Sequence, residues 1–152
     1  MKSEESVGCV MIYEHVYEQA DKRKRKEDLF LLMQSYRGDW NFVKGHTECG
    51  ESDEETLRRE VYEETGIRGF KILGFIGKIK YRFLDKAGQS ISKEVRFYLA
   101  LSDTRLVRLS SEHTNFKWTG CEEAIEILSF HQSISILNKA VEMKKALMAT
   151  TD

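Results

Sequence analysis

At 152 residues, 41% hydrophobic and 32% charged, the chain is sized for one domain spanning 1–152 with a substantial buried core. A formal net charge of −1 excludes the whole-molecule field of a dedicated nucleic-acid binder, so any hold on phosphate must be local. Cys9, Cys49 and Cys121 are odd in number and lack C-x-x-C pairing, which speaks against a disulfide framework or zinc ribbon and fits a cytoplasmic protein.

Val7 to Tyr13 is a short apolar run rich in β-branched residues, which predicts a buried strand and is too short to cross a membrane. The charge block Asp21–Asp28 is expected to be a solvated loop, with a phosphate- or RNA-contacting patch as the alternative. Leu29 to Met33 reads as a second strand, closing a hairpin around that loop. Gly38-Asp39 marks a turn, Trp40 to Lys44 a short extended piece, and Gly45 to Gly50 a loop. Ser52 suits a helix N-cap, Glu55 completes a capping box, and Gly66 is placed to end that helix.

From Phe70 to Leu101 the pattern is that of strands, with Ile79–Phe83 and Val95–Leu99 flanking a turn at Lys86–Gln89. Phe116–Trp118 is a further strand. Glu122 to Leu128 and Ser133 to Met148 have helical spacing, with Ile134, Leu137, Val141 and Leu147 expected on the buried stripe. Trp40 and Trp118 read as core aromatics. The order of strands, helix, strands and helices predicts an α+β fold.

Between Gly45 and Ile67 acidic residues are unusually dense. At about 100° per residue, Glu60, Glu63 and Glu64 share one helical face, where like charges destabilise one another. Arg59 is a single cation, so a divalent ion is the better counter-charge. Hard oxygen ligands without a His or Cys set select magnesium, manganese or calcium over zinc, and magnesium suits sharing between carboxylates and substrate phosphates. That chemistry suits attack of water on phosphorus, with a carboxylate as general base.

Gly45, Glu51, Arg59, Glu60, Val61, Glu63, Glu64, Gly66 and Ile67 reproduce the pattern G-x5-E-x7-R-E-U-x-E-E-x-G-U, where U is bulky and aliphatic. This resembles the Nudix box. The resemblance implies an α-β-α sandwich with a central mixed sheet, a loop-helix-loop catalytic motif, and hydrolysis of a nucleoside diphosphate derivative with Mg2+ or Mn2+. It implies Glu60 and Glu64 as metal ligands, completed by Glu63. Arg59 would orient Glu51 or Glu63, and Gly45 would let its backbone approach the metal. Which glutamate acts as base stays open.

Outside the box, Trp40–His46, Glu48–Glu51 and Leu109–Trp118 are similar to segments of the asymmetric diadenosine tetraphosphate hydrolases within that family. Val43 and Cys49 stand where those segments carry proline, altering loop stiffness rather than a ligand. The implied substrate is a small dinucleoside polyphosphate. An RNA 5′ end, an oxidised nucleotide or a nucleotide sugar is the alternative, as is a nucleotide-binding module without turnover. Lys44 and His46 would meet polyphosphate oxygens. Tyr81 would stack a base or merely pack on its strand. Glu112 would add a metal ligand or form a surface ion pair, and His113 is placed to join it at the substrate. Cys49 has no adjacent base and is not a nucleophile. The chain is expected to be a monomer or homodimer.

Overall fold

The apolar run at Val7 is the middle of a much longer strand. In the computed structural model, which describes residues 2–149, β1 spans Lys2–Glu18 and β2 spans Lys24–Ser35. Short β3 (Trp40–Asn41) and β4 (Val43–His46) follow, then helix α1 (Asp53–Thr65). Strands β5 (Phe70–Leu84), β6 (Ser90–Ser102) and β7 (His113–Thr119) precede helices α2 (Cys121–Ile127) and α3 (His131–Ala149).

The strands form a mixed sheet in the order β3-β2-β1-β6-β5, with β7 on β2 and β4 on β1. Only β1 and β6 run parallel; the other pairings are antiparallel. One edge of β1 is divided between two partners: Ser6–Cys9 pairs with β4, and Ile12–Glu18 pairs with β2. The sheet therefore forks between β2 and β4.

Strand alternation sorts the core into two layers. Val10, Ile12, Phe97 and Leu99 face α2 and α3, meeting Ala124, Leu128, Ile136 and Leu137. Val7, Cys9, Met11 and Ala100 face α1, meeting Leu57 and Val61. This is the α-β-α sandwich expected. Burying Leu57 and Val61 completely is worth about 1.5–3 kcal/mol each. Burial also drives the Cys9 thiol up to about 12, leaving it inert. No helix among the described residues is long and apolar enough to cross a membrane.

Three local expectations differ from the structure. Asp21–Asp28 is not all loop: Lys24–Asp28 lies in β2, in register with Glu14–Glu18 of β1. A two-stranded ribbon satisfies its own backbone, so charged residues there need no burial. His46 and Gly45 belong to β4 rather than to a loop. The buried stripe of α3 is Ser133, Ile136, Leu137, Ala140 and Lys144. Ile134 and Val141 flank it, and Leu147 is 36% exposed, because β1 and β2 supply acids for Lys144 near the helix end.

The capping box of α1 is complete. Ser52 Oγ accepts from the Glu55 amide at 3.1 Å and Glu55 Oε1 accepts from the Ser52 amide at 3.0 Å. Gly66 closes the helix at φ 77°. Ser52→Ala is expected to lower unfolding free energy by about 1 kcal/mol, read as a lower urea midpoint at unchanged slope.

Candidate active site

The fork between β2 and β4 opens into a cleft of about 490 Å3. Glu60, Glu63, Glu64 and Glu112 form one wall, and Lys44, Lys93 and Tyr81 form another. Gly45, His46 and His113 also line it, so the cleft gathers all the sequence-derived candidates except Arg59 and Glu51, which stand behind the acidic wall.

That wall is organised by Arg59. Its Nε and Nη2 donate to the two oxygens of Glu51 at 2.8 and 2.9 Å, and Nη1 donates to Glu60 at 2.8 Å. Nη2 also reaches the His46 carbonyl at 2.9 Å, tying β4 to the helix. Glu63 is a weaker partner at 3.4 Å, so of the two carboxylates Arg59 could orient, Glu51 takes the bidentate grip. Glu51 further accepts from Thr56 Oγ1 and the Glu48 amide. Arg59 above all, then the Glu48 amide, holds its carboxyl down at about 2.

Glu60 is in the opposite situation. Burial raises its carboxyl, Arg59 offsets part of that, and Glu63 and Glu64 add repulsion. Its head fills the space above Gly45: a Cβ there would lie 2.0 Å from Glu60 Cδ. Any larger residue there would have to displace the Glu60 head that Arg59 holds.

Glu64 is 4% exposed. Ser110 Oγ donates to its Oε2 at 2.7 Å, and His113 Nδ1 lies 2.5 Å from the same oxygen, outside hydrogen-bonding angles. Burial pushes the Glu64 carboxyl up, but contacts from His113, Ser110 and Glu112 outweigh it and hold it low. Glu112 is pushed up, chiefly by sharing a hydrogen bond with Glu64. It forms no ion pair among the described residues, so the surface-pair alternative is not what the structure holds.

Among the described residues no three His, Cys, Asp or Glu side chains converge on a point that would hold an ion. Glu60 and Glu63 turn to Arg59 instead, and Glu64 turns to Ser110 and His113. Repulsion between neighbouring carboxylates favours any nearby donor over mutual approach. The donors nevertheless suit a hard dication. They are all carboxylate oxygens, and two of them are held above their ordinary range, Glu60 chiefly by burial and Glu112 chiefly by its hydrogen bond with Glu64.

The cationic wall contains one residue that sequence reasoning missed. Lys93 lies directly across the β5–β6 ladder from Tyr81, so both share a face. Lys44 Nζ sits 3.5 Å from the Tyr81 hydroxyl and 5.7 Å from its ring centre. Burial, then repulsion from Lys93, lowers Lys44 to about 8. Lys44 forms no ion pair among the described residues, while Lys93 feels the charge of Glu4, which lies across the β1–β6 ladder from it. The register that pairs position 93 with position 81 was the missing signal.

A second unread feature anchors the helix start. Arg96 Nε and Nη2 donate to Asp53 at 2.9 and 2.8 Å, and the Tyr98 hydroxyl donates to Asp53 Oδ2 at 2.6 Å. This grip on the first residue of α1 fixes the helix to the sheet. Cys49 is exposed and unpaired with any other cysteine.

Comparison with known proteins agrees with this geometry. Residues 9–138 match the model of the NUDIX domain, well over half the chain. The chain is 31% identical over 139 residues to asymmetrical bis(5′-nucleosyl)-tetraphosphatase of Rattus norvegicus, covering 87% of this chain and 89% of that one. It is 36% identical over 117 residues to the Sus scrofa protein of the same name, covering 72% and 76%. A solved binary complex of Caenorhabditis elegans Ap4A hydrolase superposes with a TM-score of 0.71 at 28% identity, covering 96% of this chain and 98% of that chain.

Because Lys44 carries its charge only below about 8, affinity for inorganic pyrophosphate is expected to fall as pH rises through that value. Lys44→Arg is expected to flatten the decline up to pH 10, since guanidinium stays charged. Titration calorimetry across that range checks both.

Proposed function

The chain belongs to the Nudix hydrolase family and is a pyrophosphohydrolase, and we propose that it cleaves a dinucleoside polyphosphate of the diadenosine tetraphosphate kind, giving ATP and AMP. The observation that carries this reading is one cleft that gathers four glutamates together with two lysines grouped about a tyrosine. A polyphosphate with a base at its end has matching parts: charge for Lys44 and Lys93, and a flat ring for Tyr81. Similarity to the tetraphosphatases over most of the chain supports the same substrate class.

Nudix hydrolases use divalent metal ions, and Mg2+ or Mn2+ is assigned here to Glu60, Glu64, Glu63 and Glu112. Such an ion supplies charge neutralisation at the phosphate oxygens and makes water a better nucleophile. The protein's own groups do the rest. Gly45 leaves the room into which Glu60 reaches. Arg59 keeps Glu51 ionised and saturated, which makes Glu51 a strut rather than a proton acceptor. His113 and Ser110 aim Glu64 at the cleft. Lys44 and Lys93 draw the phosphate chain across the carboxylates, and His46 at the rim extends that contact. In-line geometry then follows from holding the chain at both sides, where orientation is most of what phosphoryl transfer requires.

Glu64→Gln is expected to lower kcat by roughly a thousandfold, the several kcal/mol that metal-assisted charge stabilisation provides. Omission of divalent ions should abolish turnover in the native protein. Chromatography of products from diadenosine tetraphosphate should show ATP plus AMP. Two ADP, or intact substrate with magnesium present, would remove the assignment.

A further inference from the structure

Beyond Ile12, β1 leaves its parallel partner β6 and continues to Glu18 with β2 alone. The two faces of this ribbon are treated differently. On one, Lys144 of α3 reaches Glu14 at 3.1 Å and Asp28 at 2.6 Å, and Lys26 lies 3.8 Å from Glu14. The acids of that face are thus matched by lysines. The other face presents Tyr13, His15 and Tyr17 in succession, over about 13 Å at roughly 3.3 Å per residue. His15 and Tyr17 lie with centroids 5.8 Å apart and planes 16° from parallel, and Arg25 is directly across from Tyr17.

The strip does not stop at the ribbon. The Arg105 guanidinium stands 5.7 Å above the Tyr13 ring. Three residues on, Arg108 approaches Tyr62 of α1, whose other neighbour is Arg68 at 4.1 Å from the ring centre. Two further residues along the same loop, Ser110 contacts Glu64 in the cleft. Rings and guanidiniums thus meet at Tyr17 with Arg25 and at Tyr13 with Arg105, with Glu27 across from His15 between them, and again at Tyr62 with Arg68 and Arg108. Arg25, Arg68, Arg105 and Arg108 form no ion pair among the described residues, although the chain carries 25 acidic side chains. Arg68 and Arg108 already bond the Tyr62 hydroxyl, whereas Arg25 and Arg105, left without a carboxylate, keep their donors for an outside anion.

We propose that this strip binds a single-stranded polynucleotide, with unpaired bases stacking on the rings and phosphates meeting the arginines. Flat and cationic groups set side by side match a strand that carries both bases and phosphates. An acidic peptide would use the arginines and leave the rings idle. The surface is separate from the polyphosphate site and stands whichever small nucleotide that cleft accepts.

The test is fluorescence anisotropy of the full chain with a labelled oligouridylate about a dozen nucleotides long, at low salt. Saturable binding that weakens steeply with salt is expected. Tyr17→Ala and Arg105→Gln should each weaken it about tenfold, while Tyr17→Phe, which keeps the ring, should match the native protein. Lys44→Ala should bind as well as the native chain. Urea midpoints establish that the variants are folded, and Arg25→Gln replaces any that is not. Absence of saturable binding would overturn the proposal. So would equal affinity for an abasic strand or a polyaspartate peptide, or loss in Lys44→Ala with Tyr17→Ala unaffected, which would put the oligonucleotide in the cleft.

Discussion

One guanidinium holds the acidic wall together. Arg59 grips Glu51 through two bonds, Glu60 through a third and the His46 carbonyl through a fourth. Those partners come from the loop before α1, the helix itself and strand β4. Without the cation between them, two carboxylates and a carbonyl oxygen would face one another in a half-buried place, an arrangement that electrostatics disfavours strongly. The same contact saturates Glu51 and leaves Glu60, packed over Gly45, only partly compensated. A structural acid and an acid raised chiefly by burial are thus made from identical side chains.

The sheet decides what faces this wall. Because β1 gives one half of its edge to β4 and the other to β2, the strands part where Ser6, Met33 and Gly45 lie, and the cleft enters there. The β5–β6 register then brings Lys93 beside Tyr81, and Lys44 arrives on β4 to stand against that ring. Both signs of charge thus line one cleft, the lysines grouped about Tyr81 and the glutamates about α1. Asp53, held by Arg96 and Tyr98, keeps the start of α1 at a set distance from β6.

Local chemistry was readable wherever its cause was local. The capping box at Ser52 and Glu55, the left-handed stop at Gly66 and the crowding of Glu60, Glu63 and Glu64 follow from spacing along one helix. They appear in the structure as read. The charge block after Asp21 was read too simply, since charge argues against burial but not against a self-paired ribbon. The α3 stripe was misplaced at Leu147, because Lys144 is buried by acids that two other strands bring to it.

What the amino-acid order determined by itself is the motif: which carboxylates share a face, and where the helix begins and ends. These depend on contacts within a few residues, where backbone periodicity is a sufficient guide. What only tertiary structure decided is the company those carboxylates keep. Glu64 meets Ser110 and His113 across 46 or more positions, and Lys44 meets Tyr81 across 37. Such pairings depend on strand register and on where the sheet forks, and register is settled by packing of the whole core rather than by any segment alone.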